Sequence, residues 1–330
     1  MIGASAREET STGVTRGPVM LGVEGLSLTD ADRRRLSHPN VGGVILFARN
    51  FDSSAQLRRL TGEIRALRPA LVTGVDHEGG RVQRFRRDGF TTLPAMRSFG
   101  EHWESDPPAA NEVAFECGAT IGRELRAHGV DFSFTPVLDL DYGASAVIGD
   151  RSFHADPVTV AALGGALVSG LASEGVAAVG KHFPGHGFVA ADSHVDTPVD
   201  RRSLDDILRG DVIPFAALIQ QGLAAIMPAH VVYPAVDARP AGFSPVWIGD
   251  VLRGRFGFDG LVFSDDLEMV GARSAGDIVA RADAALAAGC DVVLVCNDFT
   301  AMDDLLARWT PPAQPALQRR WTPMRARARM

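Results

Sequence analysis

The chain has 330 residues, 46% hydrophobic and 22% charged, so it can bury the core of one large domain or two ordinary ones. A net charge of −7 at pH 7 is opposite to the basic surface that non-specific nucleic-acid binding requires, so no nucleic-acid partner is expected. No stretch approaches the roughly 20 apolar residues that cross a bilayer, which argues against a membrane partner. Three cysteines at unrelated spacings, with no disulfide or zinc-finger pattern, favour the cytoplasm.

The two ends of the chain differ from its middle. Residues 1–16 are small and polar without the apolar segment of a secretory signal, and we expect a flexible extension. Residues 311–330 are basic, contain prolines and show little periodicity, which predicts a mobile tail. Residues 17–310 are expected to form a single domain.

Eight short apolar runs recur along this middle region, and each is followed by a helical segment. Near-continuous apolar strands are typical of a parallel sheet covered by helices. Eight strand–helix units of this length predict an α/β fold, a (β/α)8 barrel of the TIM type. An open doubly wound sheet gives similar local signals, but no Gly-x-Gly-x-x-Gly follows the first strand and no Walker-type loop occurs, so no nucleotide cofactor is expected. The runs lie at residues 19–24, 43–48, 70–75, 132–138, 177–180, 224–227, 261–264 and 291–295.

Polar residues cluster where these runs end, and in a barrel those ends share one face. Lys181 is the only lysine in a chain that otherwise uses arginine, which indicates a need for a compact ammonium at that position. Drift in a lysine-poor composition is the alternative explanation. The strand-end residues are Asp76, Asp139, Lys181, His182, His230 and Asp265.

Two adjacent carboxylates end the seventh run. Adjacent strand residues point to opposite faces, so we expect only one of Asp265 and Asp266 to face the barrel mouth. A buried carboxylate there could attack the anomeric carbon of a sugar or stabilise an oxocarbenium-like transition state. The alternative is that both only cap the strand end.

A loop after the fifth run carries Asp192, Ser193 and His194. A carboxylate close to an imidazole orients it and makes it a proton donor and acceptor near neutral pH. The set His182, His186, Asp192 and His194 could instead bind a metal ion, as in metal-dependent barrel hydrolases. Against a metal, the first strand is not followed by a His-x-His pair, and the Pro-Gly pair at 184–185 breaks any helix that would align the two histidines.

Asp76, Arg84 and Arg151 have side chains suited to binding hydroxyl and carboxylate groups. An aspartate can accept hydrogen bonds from two adjacent sugar hydroxyls, and an arginine can bind a carboxylate in bidentate fashion. A loop arginine is more often only solvated, so these assignments depend on the residues around them.

Five ordered motifs together resemble glycoside hydrolase family 3, and within it the single-domain bacterial β-N-acetylglucosaminidases of cell-wall recycling. The resemblance extends from about residue 17 to the end of the eighth unit. The motifs are Asp-His-Glu-Gly-Gly-Arg-Val-Gln-Arg at 76–84, Gly-Asp-Arg-Ser-Phe-His at 149–154, Lys-His-Phe-Pro-Gly-His-Gly at 181–187, Asp-Ser-His at 192–194 and Phe-Ser-Asp-Asp-Leu-Glu-Met at 263–269.

The resemblance implies a retaining exo-β-N-acetylhexosaminidase with Asp265 as the nucleophile and His194, paired with Asp192, as the acid/base. It implies no metal or other cofactor, and a small-molecule substrate, N-acetylglucosamine β-1,4-linked to anhydro-N-acetylmuramic acid with or without the stem peptide. We expect a monomer. A sugar-binding barrel without catalysis remains an alternative. The residues implied to bind the sugar are Asp76, Arg84, Arg151, Lys181 and His182.

Overall fold

The computed structural model describes residues 15–190 and 198–327. Eight parallel strands form a closed barrel in the order β1-β12-β11-β8-β7-β6-β3-β2, and two short hairpins, β4–β5 and β9–β10, stand outside it. The (β/α)8 prediction is therefore confirmed. In chain order the strands are β1 (Val19–Gly22), β2 (Val41–Leu46), β3 (Val72–Val75), β4 (His77–Gly79), β5 (Val82–Gln83), β6 (Phe132–Ser133), β7 (Ala177–Phe183), β8 (Ala225–Pro228), β9 (Val232–Tyr233), β10 (Asp237–Pro240), β11 (Leu261–Asp266) and β12 (Val292–Val295).

Helices surround the barrel and begin where the sequence places capping side chains. Thr29 and Asp32 form a reciprocal capping box at the first helix. Ser203 accepts from the backbone N–H of Asp206 at the start of α6. The helices are α1 (Asp30–Ser37), α2 (Ser54–Leu67), α3 (Arg97–Trp103), α4 (Pro107–Ala127), α5 (Pro157–Ser173), α6 (Leu204–Arg209), α7 (Ile213–Gln220), a π-type helix Val246–Arg255, α8 (Ile278–Ala288), α9 (Phe299–Arg308) and α10 (Leu317–Trp321).

The barrel interior is filled by aromatic and aliphatic side chains, and the C-terminal segment covers its amino end. In the interior Phe132 stacks on Phe263, and Phe134 makes T-shaped contacts with both rings. Trp321 of α10 is fully buried against Phe263, and its indole N–H donates to the carbonyl of Gly17. The structure therefore differs from the expected unpacked tail, because burial of this large apolar ring attaches residues 317–324 to the barrel.

The fourth strand of the barrel, β6, is shorter than the apolar run at residues 132–138 predicted. Regular pairing ends at Ser133, and beyond it only Val137 forms a single bridge, to Lys181. Pro136 lies between them and has no backbone N–H to donate to a neighbouring strand.

Two strands carry an extra residue just before they reach the carboxyl face of the barrel. On β7, Lys181 pairs with Met227 but Phe183 pairs with the very next residue, Pro228. On β11, the three-residue step from Phe263 to Asp266 faces a two-residue step on β12. Such bulges interrupt the alternation of faces and redirect side chains.

No helix within the described part of the chain is long and apolar enough to cross a membrane. Cys117, Cys290 and Cys296 are buried free thiols.

Candidate active site

A cavity of about 510 Å³ opens at the carboxyl ends of the barrel strands. The structure brings six of the predicted site residues into its wall, from the ends of β3, β7 and β11 and from two loops. Asp192 and His194 lie outside the described residues, so their predicted acid/base role stays a prediction. The charged and polar residues of the wall include Asp76, Glu78, Arg84, Arg151, Lys181, His182, His186, Asp265 and Asp266.

Lys181 lies at the centre of the cluster and is almost fully buried. Its Nζ contacts Asp76 Oδ1 at 2.6 Å and Glu78 Oε1 at 2.7 Å. Arg84 approaches the other oxygen of Asp76 at 3.5 Å. Burial alone would raise the pKa of Asp76, but Lys181 and Arg84 hold it below its ordinary value, so Asp76 is an ionised hydrogen-bond acceptor at neutral pH.

Arg151 is bound by the same buried glutamate. Its Nε donates to Glu78 Oε2 at 2.8 Å and its Nη2 to Oε1 at 2.7 Å, a bidentate pair. Burial opposes ionisation of Glu78, yet Arg151 and Lys181 hold its pKa far below the usual range. Burial likewise lowers the pKa of Arg151 and the Glu78 charge more than reverses this. Glu78 and Arg151 are therefore both charged.

His182 is oriented from below by Asp139, a fully buried residue. Oδ2 of Asp139 lies 2.7 Å from His182 Nδ1, and Oδ1 accepts the backbone N–H groups of His182 and His186. Burial would raise the pKa of Asp139, but the two imidazoles and these hydrogen bonds lower it. Because an ionised carboxylate only accepts, Nδ1 of His182 carries the proton of this hydrogen bond.

Asp265 and Asp266 both contribute to the cavity wall, whereas only one of them was expected to face the mouth, and Oδ1 of Asp266 accepts the backbone N–H of Glu268. The bulge on β11 removes the strict alternation on which that expectation rested. Asp265 Oδ1 accepts the backbone N–H of Asp266 at 2.8 Å. Burial, with the charge of Glu268, raises the pKa of Asp266 to about 8, so Asp266 is mostly protonated at neutral pH. This leaves Asp265 as the better candidate for an anionic nucleophile.

Glu78 and Asp139 are the site residues whose roles sequence reasoning did not assign. Glu78 lies inside the 76–84 motif, between the two residues to which roles were given, and Asp139 ends the fourth run. The sequence does not reveal that Glu78 is buried against a cation or that Asp139 is buried against an imidazole. His230, also at a strand end, is fully buried and is not part of the cavity wall, and burial lowers its pKa.

The metal-binding alternative receives no support from the part of the site that the structure describes. Across residues 15–190 and 198–327, no group of three or more His, Cys, Asp or Glu side chains is arranged to hold a metal ion. Two of the four residues proposed for a metal lie outside these ranges.

A barrel whose strand-end cavity combines carboxylates with a cluster of paired charged side chains has an arrangement suited to the hydrolysis of sugars. Comparison with known proteins identifies the family. The chain matches the glycosyl hydrolase family 3 N-terminal domain over residues 18–309. It therefore belongs to this family and is a glycoside hydrolase, as the motif resemblance implied.

Curated relatives named beta-hexosaminidase match nearly the whole chain. The protein from Thiobacillus denitrificans is 62% identical over 93% of this chain and 86% of its own length. The one from Bordetella avium is 61% identical over 92% and 87%. Among solved structures, NagZ from Neisseria gonorrhoeae in complex with N-trifluoroacetyl-D-glucosamine superposes with a TM-score of 0.91 at 50% identity, covering 96% of this chain and 92% of that one.

Proposed function

We propose that the protein is a retaining exo-β-N-acetylhexosaminidase that removes N-acetylglucosamine from the non-reducing end of its substrate. The observation that carries this is the cavity whose wall contains Asp265 together with the charged cluster of Asp76, Lys181 and Arg151. Relatives at about 60% identity carry the name beta-hexosaminidase, and the similar NagZ structure holds a glucosamine derivative.

In the proposed mechanism, Asp265 attacks the anomeric carbon while the bond to the leaving oxygen breaks. His194, oriented by Asp192, donates a proton to that oxygen, and a covalent glycosyl-enzyme forms. Water then loses a proton to His194 and attacks the same carbon, which releases Asp265 and returns the sugar with its β configuration. Asp76, Arg84, Arg151, Lys181 and His182 bind the hydroxyl and acetamido groups of this sugar.

The proposed substrate is N-acetylglucosamine β-1,4-linked to anhydro-N-acetylmuramic acid, bare or with its peptide, as in the recycling of cell-wall fragments in the cytoplasm. A cavity of about 510 Å³ is large enough for one saccharide bound inside and an aglycone extending toward the mouth. The enzyme is proposed to act as a monomer and without a metal.

The test uses a chromogenic β-N-acetylglucosaminide and purified variants. Asp265→Ala and His194→Ala should each lose at least about 10²-fold in kcat, the lower end of what acid–base or nucleophilic groups contribute. Wild-type rates in either variant reject its role. Proton NMR of early product should show the β anomer first, and an α product would exclude the retaining mechanism.

The metal-dependent alternative has a separate test. Activity should be unchanged after dialysis against a chelator, with the metal content of the sample measured in parallel. Loss of activity that returns on adding zinc would favour the metal site built from His182, His186, Asp192 and His194.

A further inference from the structure

Glu78 occupies an unusual place in the cavity wall. It is 1% exposed, and its two oxygens accept three charged hydrogen bonds, one from Lys181 and two from Arg151. A carboxylate held this way has no free proton to give and little basicity left, so it suits neither acid nor base catalysis. Its chemistry is that of a counter-ion shared by two cations.

Counting donors shows what this arrangement leaves for a ligand. A lysine ammonium has three N–H donors. Among the described residues, Asp76 and Glu78 take two of them, at 2.6 and 2.7 Å, which leaves the third for a further acceptor. Arg151 gives Nε and one Nη2 hydrogen to Glu78 and an Nη1 hydrogen to the carbonyl of Val147, and it keeps one hydrogen on each terminal nitrogen.

From this geometry we infer that Glu78 is a positioning residue that fixes Lys181 and Arg151 so that their remaining N–H donors converge on the bound sugar. The inference rests on the proposed function, since it takes the sugar to bind beside these two cations. A flexible lysine and a flexible arginine would each have to be ordered when the ligand binds, and an ion pair formed beforehand removes that cost. Without Glu78, two buried like charges would also repel each other at the wall of the cavity.

The alternative is that Glu78 only stabilises the fold. Removing one partner of a buried ion pair is destabilising wherever it lies, so loss of stability alone decides nothing. Glu174 offers a matched control: it is 1% exposed and lies 3.2 Å from Arg126 and 3.6 Å from Arg123, at the end of α5 and away from the cavity. Glu78→Gln and Glu174→Gln make the same chemical change at two buried glutamates that each pair with two cations. The side chains of Arg123 and Arg126 are the more exposed partners, at 53% and 30% against 12% for Arg151 and 3% for Lys181.

Three quantities should be measured for both variants and for wild type: kcat and KM on a chromogenic β-N-acetylglucosaminide, the dissociation constant of N-acetylglucosamine by calorimetry, and the thermal midpoint. Glu78→Gln should lower kcat/KM about 10²-fold, the scale of a misplacement near 1 Å, mainly through KM. Its affinity for the free sugar should fall at least about tenfold, because both cations bind the ground state as well. Glu174→Gln should lose thermal stability with kcat/KM within threefold of wild type.

Equal kinetic effects in the two variants, or a Glu78→Gln enzyme that binds N-acetylglucosamine as wild type does, would overturn the inference while leaving the proposed function intact. Wild-type protein that neither cleaves the glycoside nor binds the sugar would overturn both. Should Glu78→Gln fail to fold, Glu78→Asp takes its place. This variant keeps the charge but shortens the side chain by one methylene, so it cannot keep all three contacts, and the same rise in KM is expected.

Discussion

Replacing Asp139 by asparagine should impair catalysis, because Asp139 orients His182 even though it does not itself contact the substrate. Asp139 is fully buried and accepts from His182 Nδ1 at 2.7 Å and from the backbone N–H groups of His182 and His186 at 3.2 and 2.7 Å. An amide has one oxygen, and its NH2 group would face at least one of these donors. One hydrogen bond to a charged group is then lost, which costs about 1.5–3 kcal/mol.

If the lost hydrogen bond destabilises the correct orientation of the His182 ring by this free energy, kcat/KM should drop about 10- to 100-fold, since 1.36 kcal/mol corresponds to a factor of ten. Kinetics on a chromogenic β-N-acetylglucosaminide, with the thermal midpoint, measure both effects. Asp291→Asn is the matched control: Asp291 is also buried and accepts a backbone N–H, from Val262, but pairs with Arg253 and Arg320 at the amino end of the barrel. The control should be destabilised with kcat/KM near wild type. Asp139→Asn with kcat/KM within threefold of wild type would refute the reasoning.

Three further predictions concern stability. The pKa of Asp266 is raised to about 8, so the folded state keeps a proton that the unfolded state loses near pH 4, and the stability of the wild type falls as pH rises between these values. The thermal midpoint of Asp266→Asn should therefore rise relative to that of the wild type by at least about 2–4 °C between pH 5 and pH 8. A difference that stays constant with pH contradicts this. Trp321→Ala should cost about 3–5 kcal/mol in urea unfolding with kcat unchanged, because the ring is fully buried and is not part of the cavity wall. A change in kcat would show coupling to the site. The pKa values of Asp76, Glu78 and Asp139 are lowered, so these groups stabilise the folded state at pH values above the ordinary carboxyl pKa, and this stability is lost as pH falls below about 4. The thermal midpoint of Glu78→Gln should therefore decline less steeply from pH 5 to pH 3 than that of the wild type. Parallel curves for the two proteins would contradict this.

The barrel could be predicted from sequence because its signals are local. The apolar runs give the eight strands, and capping residues such as Thr29 and Ser203 mark the helix starts. Helices α2 (Ser54–Leu67) and α5 (Pro157–Ser173) follow the second and fourth of these runs, as the alternation of strand and helix predicts. Strand ends then predict which side chains share one face, since the carboxyl ends of all eight strands meet there.

Features that depend on pairing between distant segments could not be read the same way. The extra residues on β7 and β11 are defined only against Met227, Pro228 and the residues of β12. Without that register, strict alternation predicts that the side chains of Asp265 and Asp266 point to opposite faces of the strand. The burial of Trp321 depends on contact with the carbonyl of Gly17, about three hundred positions earlier in the chain. A basic, proline-containing tail carries no periodic signal of such packing.

The strand bulges and the buried carboxylates together allow adjacent functional residues to lie in one cavity wall. A regular strand presents every second side chain to the cavity, so two adjacent functional residues cannot both reach it. The bulge on β7 brings Lys181 and His182 to the same wall, but it also places an ammonium and an imidazole side by side. Each is paired at 2.7 Å with a carboxylate from a different segment, Lys181 with Glu78 of β4 and His182 with Asp139 of the loop after β6. The positions of Lys181 and His182 therefore depend on the two carboxylates paired with them.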